Sequence, residues 1–318
     1  MTKIALLFIG ICTFLSANKL YAQVASPEAR SGYAFAYDSN RQVAVLFGGQ
    51  DINNKRLGDT WEWTTGNWKR IDIAGPAARI NSAMVYDPVS KRMLLFGGST
   101  NSGAQNDVWT YDGKLWTKVE YELLPPPRQL ATAVFDKKQS RLILFGGLDV
   151  KKEPLGDTWV MEKDHWKRLD IRGPSPRASH AMAYNDESGV VYLYGGYDTM
   201  TKKDFWKFQN ETWSEISGSN YPFRCHTVLV YDYEKNRLLM FGGFGAESRL
   251  NELWEYSENQ WRQINQGSTV PEARAEHRGI IIPGKGLLIF GGVIGPDVNT
   301  RNRGSDTWLY NGKEWQAE

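Results

Sequence analysis

The side chains able to do chemistry in this chain are arginines and histidines, and they fall at regular places. Arg30, Arg79, Arg128, Arg177, Arg224 and Arg274 follow one another at intervals of 47 to 50 residues. A guanidinium is a planar fork of N–H donors that meets a carboxylate, sulfate or phosphate two bonds at a time. Six forks around one opening would grip an acidic ligand; alternatively, each one bonds backbone carbonyls of adjoining repeats. His180 and His277 each stand three residues after such an arginine. His226 stands two after Arg224, so strand alternation turns it to the other face, while Cys225 shares the parity of His180 and His277. A metal held by those three would span repeats without a local chelating motif, and neither metal nor cofactor is expected. Glu276-His277 beside Arg274 is the one local grouping suited to moving a proton next to a bound carboxylate. Arg301 and Arg303, in the long segment 293–305, complete the candidate ligand-binding set.

The elements that must carry these residues are written six times. Each unit runs from its arginine through an apolar stretch to a polar turn, then to a Phe/Tyr-Gly-Gly triplet. The triplet's aromatic is Phe47, Phe96, Phe145, Tyr194, Phe241 and Phe290. An acid-x-Trp element follows at Asp59/Trp61, Asp107/Trp109, Asp157/Trp159, Asp204/Trp206, Glu252/Trp254 and Asp306/Trp308. A second tryptophan stands seven residues after the first in every copy, from Trp68 to Trp315. Twelve of thirteen tryptophans are thereby in register, with Trp63 outside it. Short apolar runs broken by turn residues such as Asp38-Ser-Asn-Arg41 and Asp112-Gly113 are strands, four per unit. Six antiparallel four-stranded units without a helical segment predict an all-β, six-bladed β-propeller. The expected blades are approximately 27–75, 76–124, 125–173, 174–220, 221–270 and 271–318. A buried Trp removes roughly 150–250 Å² from water, so the two repeated tryptophans are expected to meet on paired strands and face the next blade. Blade six ends on its own outer strand, so closure must rest on packing against blade one or on residues 23–29.

Residues 1–22 carry Lys3, an apolar run from Ile4 to Leu15 and a small residue before Gln23, the pattern of a secretory leader. The expectation is an exported, secreted or periplasmic monomer without stable membrane insertion. Cleavage removes Lys3 and Lys19 and no acid, leaving 36 basic and 36 acidic residues. A neutral chain with no basic block offers nothing for nucleic acid. Cys225 is then the only cysteine left, so no internal disulfide can form.

Gly48-Gly49 with Trp61 and Trp68, and their five counterparts, resemble the kelch repeat, and the whole span 27–318 is similar to the galactose-oxidase central-domain type of propeller. That resemblance implies the fold and leaves activity open, because kelch propellers include enzymes and binding adaptors. The galactose-oxidase copper constellation has no counterpart here. No nucleophile elbow, phosphate loop or paired-carboxylate motif is present either. The reading favoured is a non-catalytic module binding a protein or glycan through its inter-blade connectors and the loops between second and third strands. Those loops are 50–58, 99–106, 148–156, 197–203, 244–251 and 293–305, the longest, expected to lie over the channel mouth. The alternative is a small-molecule enzyme such as an acidic-sugar mutarotase or epimerase.

Overall fold

The computed structural model describes residues 26–218 and 221–318; the leader read at 1–22 lies outside the described residues. Those residues form six blades of four consecutive antiparallel strands. In blade one the strands are Ala34–Asp38, Val43–Gln50, Arg56–Thr64 and Asn67–Ile71, innermost to outermost. The first turn forms as its composition demands, with Asp38 Oδ1 accepting the N–H groups of Asn40 and Arg41 at 3.0 Å each. No helix occurs among the described residues, and so none is long and apolar enough to cross a membrane.

The tryptophans pack differently from the expectation. Cross-strand register puts Trp61 opposite Arg70 and Trp63 opposite Trp68. The tight turn at Thr64–Asn67 decides this, because it pairs residues five apart at this point of the hairpin and leaves those seven apart offset by two. Trp63 therefore belongs to the repeat, as the position filled elsewhere by Tyr111, Met161, Phe208, Tyr256 and Tyr310 opposite the second tryptophan. Trp63 is 2% exposed and Trp109 half-buried, so truncation costs more at Trp63.

The aromatic face also points to the preceding blade rather than the next. Six apolar clusters fill six interfaces, each joining the outer hairpin of one blade to the second strand of the blade before it. At every interface the triplet aromatic meets the following blade's second tryptophan. Phe47–Trp116, Phe145–Trp213 and Phe241–Trp315 lie at 5.1, 5.4 and 4.7 Å between ring centroids. Phe290–Trp68, at 5.1 Å, closes the ring between blades six and one. Among the described residues no strand is exchanged at that seam, and blade one's inner strand lies beside blade six's as at any other junction.

One position separates satisfied from unsatisfied indoles. Trp68, Trp116 and Trp213 each donate their ring N–H at 2.9 Å to a threonine of the preceding blade: Thr307, Thr60 and Thr158. Where that residue is Val108 or Phe205, the indoles of Trp166 and Trp261 have no partner among the described residues. Where it is Leu253, Trp315 turns to Gln266 Oε1 at 2.7 Å. A buried hydrogen bond of this kind contributes about 1 kcal/mol. Thr60→Val is expected to destabilise by about that amount and Val108→Thr to stabilise by a similar one. Urea denaturation checks both, and a Val108→Thr protein no more stable than its parent would contradict the assignment.

Candidate functional site

The connectors between blades and the loops between second and third strands share one face of the propeller, where the repeat arginines begin their blades. Arg30 is fully buried. Its Nη1 and Nη2 donate to Asp59 Oδ1 and Oδ2 at 2.7 and 2.9 Å, and Nη1 also reaches Gly48 O at 3.0 Å. Asp59 Oδ2 further accepts the Trp61 ring N–H at 2.6 Å. The same Arg–Asp–Trp unit is built by Arg79, Arg128, Arg177 and Arg274 with Asp107, Asp157, Asp204 and Asp306. Burial pushes these carboxyls up, and the arginine forks with the indole N–H groups outweigh it, leaving all five below the ordinary value. Blade five departs from the pattern. Glu252 replaces the aspartate, its extra methylene breaks the fork to a single Nη2 contact, and Arg224 Nε is left buried without a partner.

The arginine backbone is tied to the other side of the junction. Gly49, Gly98, Gly147, Gly196, Gly243 and Gly292 donate their N–H groups to Arg79, Arg128, Arg177, Arg224, Arg274 and Arg30 carbonyls at 2.8–2.9 Å. A Cβ on Gly48 would stand 2.7 Å from Arg79 O at a φ of +68°, which is why no larger residue fits. Each arginine thus joins two blades, its backbone to the preceding one and its side chain to its own. Of the two roles open to the six forks, the structural one is built: they are internal framework, not a ligand grip at the mouth.

Two residues further on, the chain makes the true rim. Gly32, Asn81, Leu130, Ser179, His226 and Glu276 all have positive φ, between +52° and +64°. Their peptides form a closed circlet, each N–H donating to the corresponding residue of the preceding blade at 2.7–3.3 Å. A left-handed conformation costs an L-residue roughly 1–2 kcal/mol, and here the circlet holds five of them in it. Gly32, Asn81 and Ser179 hint at such a turn; nothing local marks Leu130, His226 or Glu276.

This turn leaves His226 apart from the other two histidines but undoes the alternation at Cys225, which lines the mouth cleft with His226. His226 lies at the mouth between Tyr197 and Phe244, at 6.3 and 5.8 Å between ring centroids. His277 is buried against Phe241 at 5.6 Å, and His180 against Phe145 at 5.3 Å. These two are therefore not brought together, and Glu276 shares the mouth with His226, not with His277. Ser31 Oγ donates to Glu276 at 3.0 Å. Burial pushes the Cys225 thiol up to about 11, so it carries no thiolate at neutral pH.

Arg303 is buried as well, donating to Ser31 Oγ at 3.2 Å, Gln50 Oε1 at 3.1 Å and Asn54 Oδ1 at 3.2 Å across the seam. Arg301 is exposed. The segment between them and Ile294 is tethered to blade five by Arg249, whose guanidinium reaches the carbonyls of Gly295, Asp297, Val298 and Thr300 at 2.5–3.3 Å. Arg303 and Glu276 meet at the Ser31 hydroxyl, so the C-terminal end of the loop stands at the rim. Beside it opens a cleft of about 370 Å³ lined by Tyr197, Met200, His226, Phe244 and Val298 among others. The cleft was not legible in advance, because three separate blades supply its walls.

Six four-stranded blades around a channel define a β-propeller, and this chain belongs to the kelch-repeat family. It matches the family model of the KLHDC2/KLHL20/DRC7 Kelch-repeats domain over residues 7–162 and again over 158–317. It is similar to Kelch domain-containing protein 2 of Bos taurus, 25% identical over 319 residues that cover 85% of this chain and 77% of that protein. An F-box/kelch-repeat protein of Arabidopsis thaliana is 28% identical over 196 residues, covering 53% of this chain and 40% of its own length. A putative adagio-like protein 2 of Oryza sativa subsp. japonica is 28% identical over 227 residues, 61% of this chain and 35% of that protein. The chain thus spans less than half the length of the last two. Kelch propellers as a class are generally protein-interaction modules.

The two interior histidines make stability depend on pH. Burial, with the charges of Arg177 and Arg278, holds His180 down to about 3, and burial with Arg274 and Arg278 holds His277 well below its ordinary value. Both stay neutral in the fold, whereas unfolded histidine takes a proton near pH ~6.5. The unfolded state then binds more protons below that pH, and stability falls as pH drops, by at most roughly 1.4 kcal/mol per unit for each. Urea midpoints between pH 7.5 and 4.5 are expected to fall less steeply for His180→Phe/His277→Phe than for the parent. Parallel slopes would contradict this.

Proposed function

We propose that this propeller binds a partner protein through the loop tips and cleft of its connector face, and that it does so as an exported monomer. One observation carries the reading. Ile52, Val150, Met200 and Val298 are 59%, 65%, 72% and 44% exposed, and each lies in a different second-to-third-strand loop. Large aliphatic side chains held in water on four loops of one face favour a protein surface as the occupant. A glycan would be better served by exposed aromatic platforms, which these tips lack, so the protein is preferred. The framework is suited to binding of this kind, because the arginine units hold the blades and leave the loops free to vary. The acidic-sugar alternative draws no support from its own residues, since Arg274 is engaged by Asp306 and His277 is packed on Phe241.

Peptides selected from a displayed random library against the intact chain supply the probe. Replacing Ile52, Val150, Met200 and Val298 together by serine is expected to weaken the selected peptides at least tenfold while the melting temperature stays within about two degrees, as surface substitutions do. Peptides that bind the serine variant equally well would move the surface elsewhere. For export, the protein recovered from its own cells is expected to begin near Gln23. Mass spectrometry finding residues 1–22 retained would remove that part of the proposal.

A further inference from the structure

Four positions after its arginine, each inner strand contributes one residue to the upper channel: Ala34, Ala83, Thr132, Ala181, Val228 and Arg278. Five are small or aliphatic and the sixth is an arginine. The cavity they enclose measures about 120 Å³. The Arg278 backbone N–H donates to the Tyr33 hydroxyl at 3.0 Å, but its guanidinium has no hydrogen bond or ion pair among the described residues. The neighbouring hydroxyls turn their protons to backbone carbonyls, and none accepts from the guanidinium among the described residues. Thr132 Oγ1 donates to His180 O at 2.8 Å, Ser82 Oγ to Gly97 O at 3.0 Å, and Thr227 Oγ1 to Gly242 O at 3.0 Å. Glu276 acts on Arg278 through its field without a direct contact, one of its oxygens accepting the Ser31 hydroxyl. His180 lines the same cavity, is 2% exposed, and neither of its ring nitrogens has a partner among the described residues.

A half-buried guanidinium without a hydrogen-bonded counter-charge is poorly compensated, and a buried imidazole with both nitrogens idle adds to the cost. Both deficits fall in one cavity and have one remedy. We propose that the upper channel binds a small oxyanion, a carboxylate or a phosphate, gripped by the Arg278 fork with the His180 ring N–H as a further donor. The planar fork fits either group through two parallel charge-assisted bonds. The volume sets the class, since pockets for drug-sized ligands run to roughly 300–1,000 Å³, so a group of acetate or phosphate size fits and a sugar ring does not. The site is independent of the loop surface and would survive its failure.

The test uses the intact chain titrated with sodium acetate and, separately, inorganic phosphate, with ionic strength held constant by sodium chloride. Calorimetric melting is expected to rise saturably in at least one series, and the stronger series identifies the source as carboxylate or phosphate. Arg278→Met should abolish the saturable rise and melt at or above the parent without the anion, because the unpaired charge is gone. Arg278→Lys should retain binding at least tenfold weaker. His180 imidazole resonances in the parent give a readout independent of any variant's folding, and they should shift along the same saturation curve. Parallel responses of parent and Arg278→Met, a response identical to sodium chloride, or His180 resonances that do not move would each overturn the proposal.

Discussion

The structure depends on one arginine per blade being held from both sides. Its carbonyl takes the N–H of the preceding blade's second glycine, and its guanidinium closes on an aspartate that also accepts an indole N–H. Removing the aspartate would leave a buried guanidinium uncompensated, which typically costs about 3–5 kcal/mol. The first glycine of the doublet is fixed for the same reason, since its missing Cβ is the space the arginine carbonyl fills. The last of these links runs from Gly292 to Arg30. Among the described residues ring closure uses no exchanged strand; the seam is an ordinary junction between blades six and one.

Because the junctions are so determined, the departures from them are informative. They gather in blades four to six. The interval between triplets shortens to 47 residues there, Glu252 breaks the arginine fork, and Leu253 sends Trp315 to Gln266. The same blades hold His180, Cys225, His226, Glu276, His277 and Arg278, and the cleft beneath Met200 and Val298 opens between their loops. Consistency across repeats marks what the fold needs, and local violations mark where something else is asked of the chain. The strained rim belongs to the second kind: Leu130, His226 and Glu276 hold positive φ only because six peptides bond in a circle around the mouth.

The sequence by itself determined the architecture. Six copies of an apolar strand pair, a glycine doublet and a tryptophan pair leave a single blade wet and a closed ring dry, so blade number, strand count and the turn at Asp38 follow from pattern and local hydrogen bonding. Tertiary structure alone decided the rest. Residues that serve junctions and residues that could serve ligands are of the same types, and type does not say which way a side chain faces. Arg274 and Arg278 stand four residues apart in one strand region, yet one is locked to Asp306 and the other lines the channel with no side-chain partner among the described residues. Glu276 lies beside His277 in sequence but shares the mouth with His226 of the neighbouring blade. Hairpin register set Trp63, not Trp61, against Trp68, and a circle of left-handed residues redirected the side chains at the rim. That circle is made of hydrogen bonds between equivalent positions of neighbouring blades, which no reading of one segment contains.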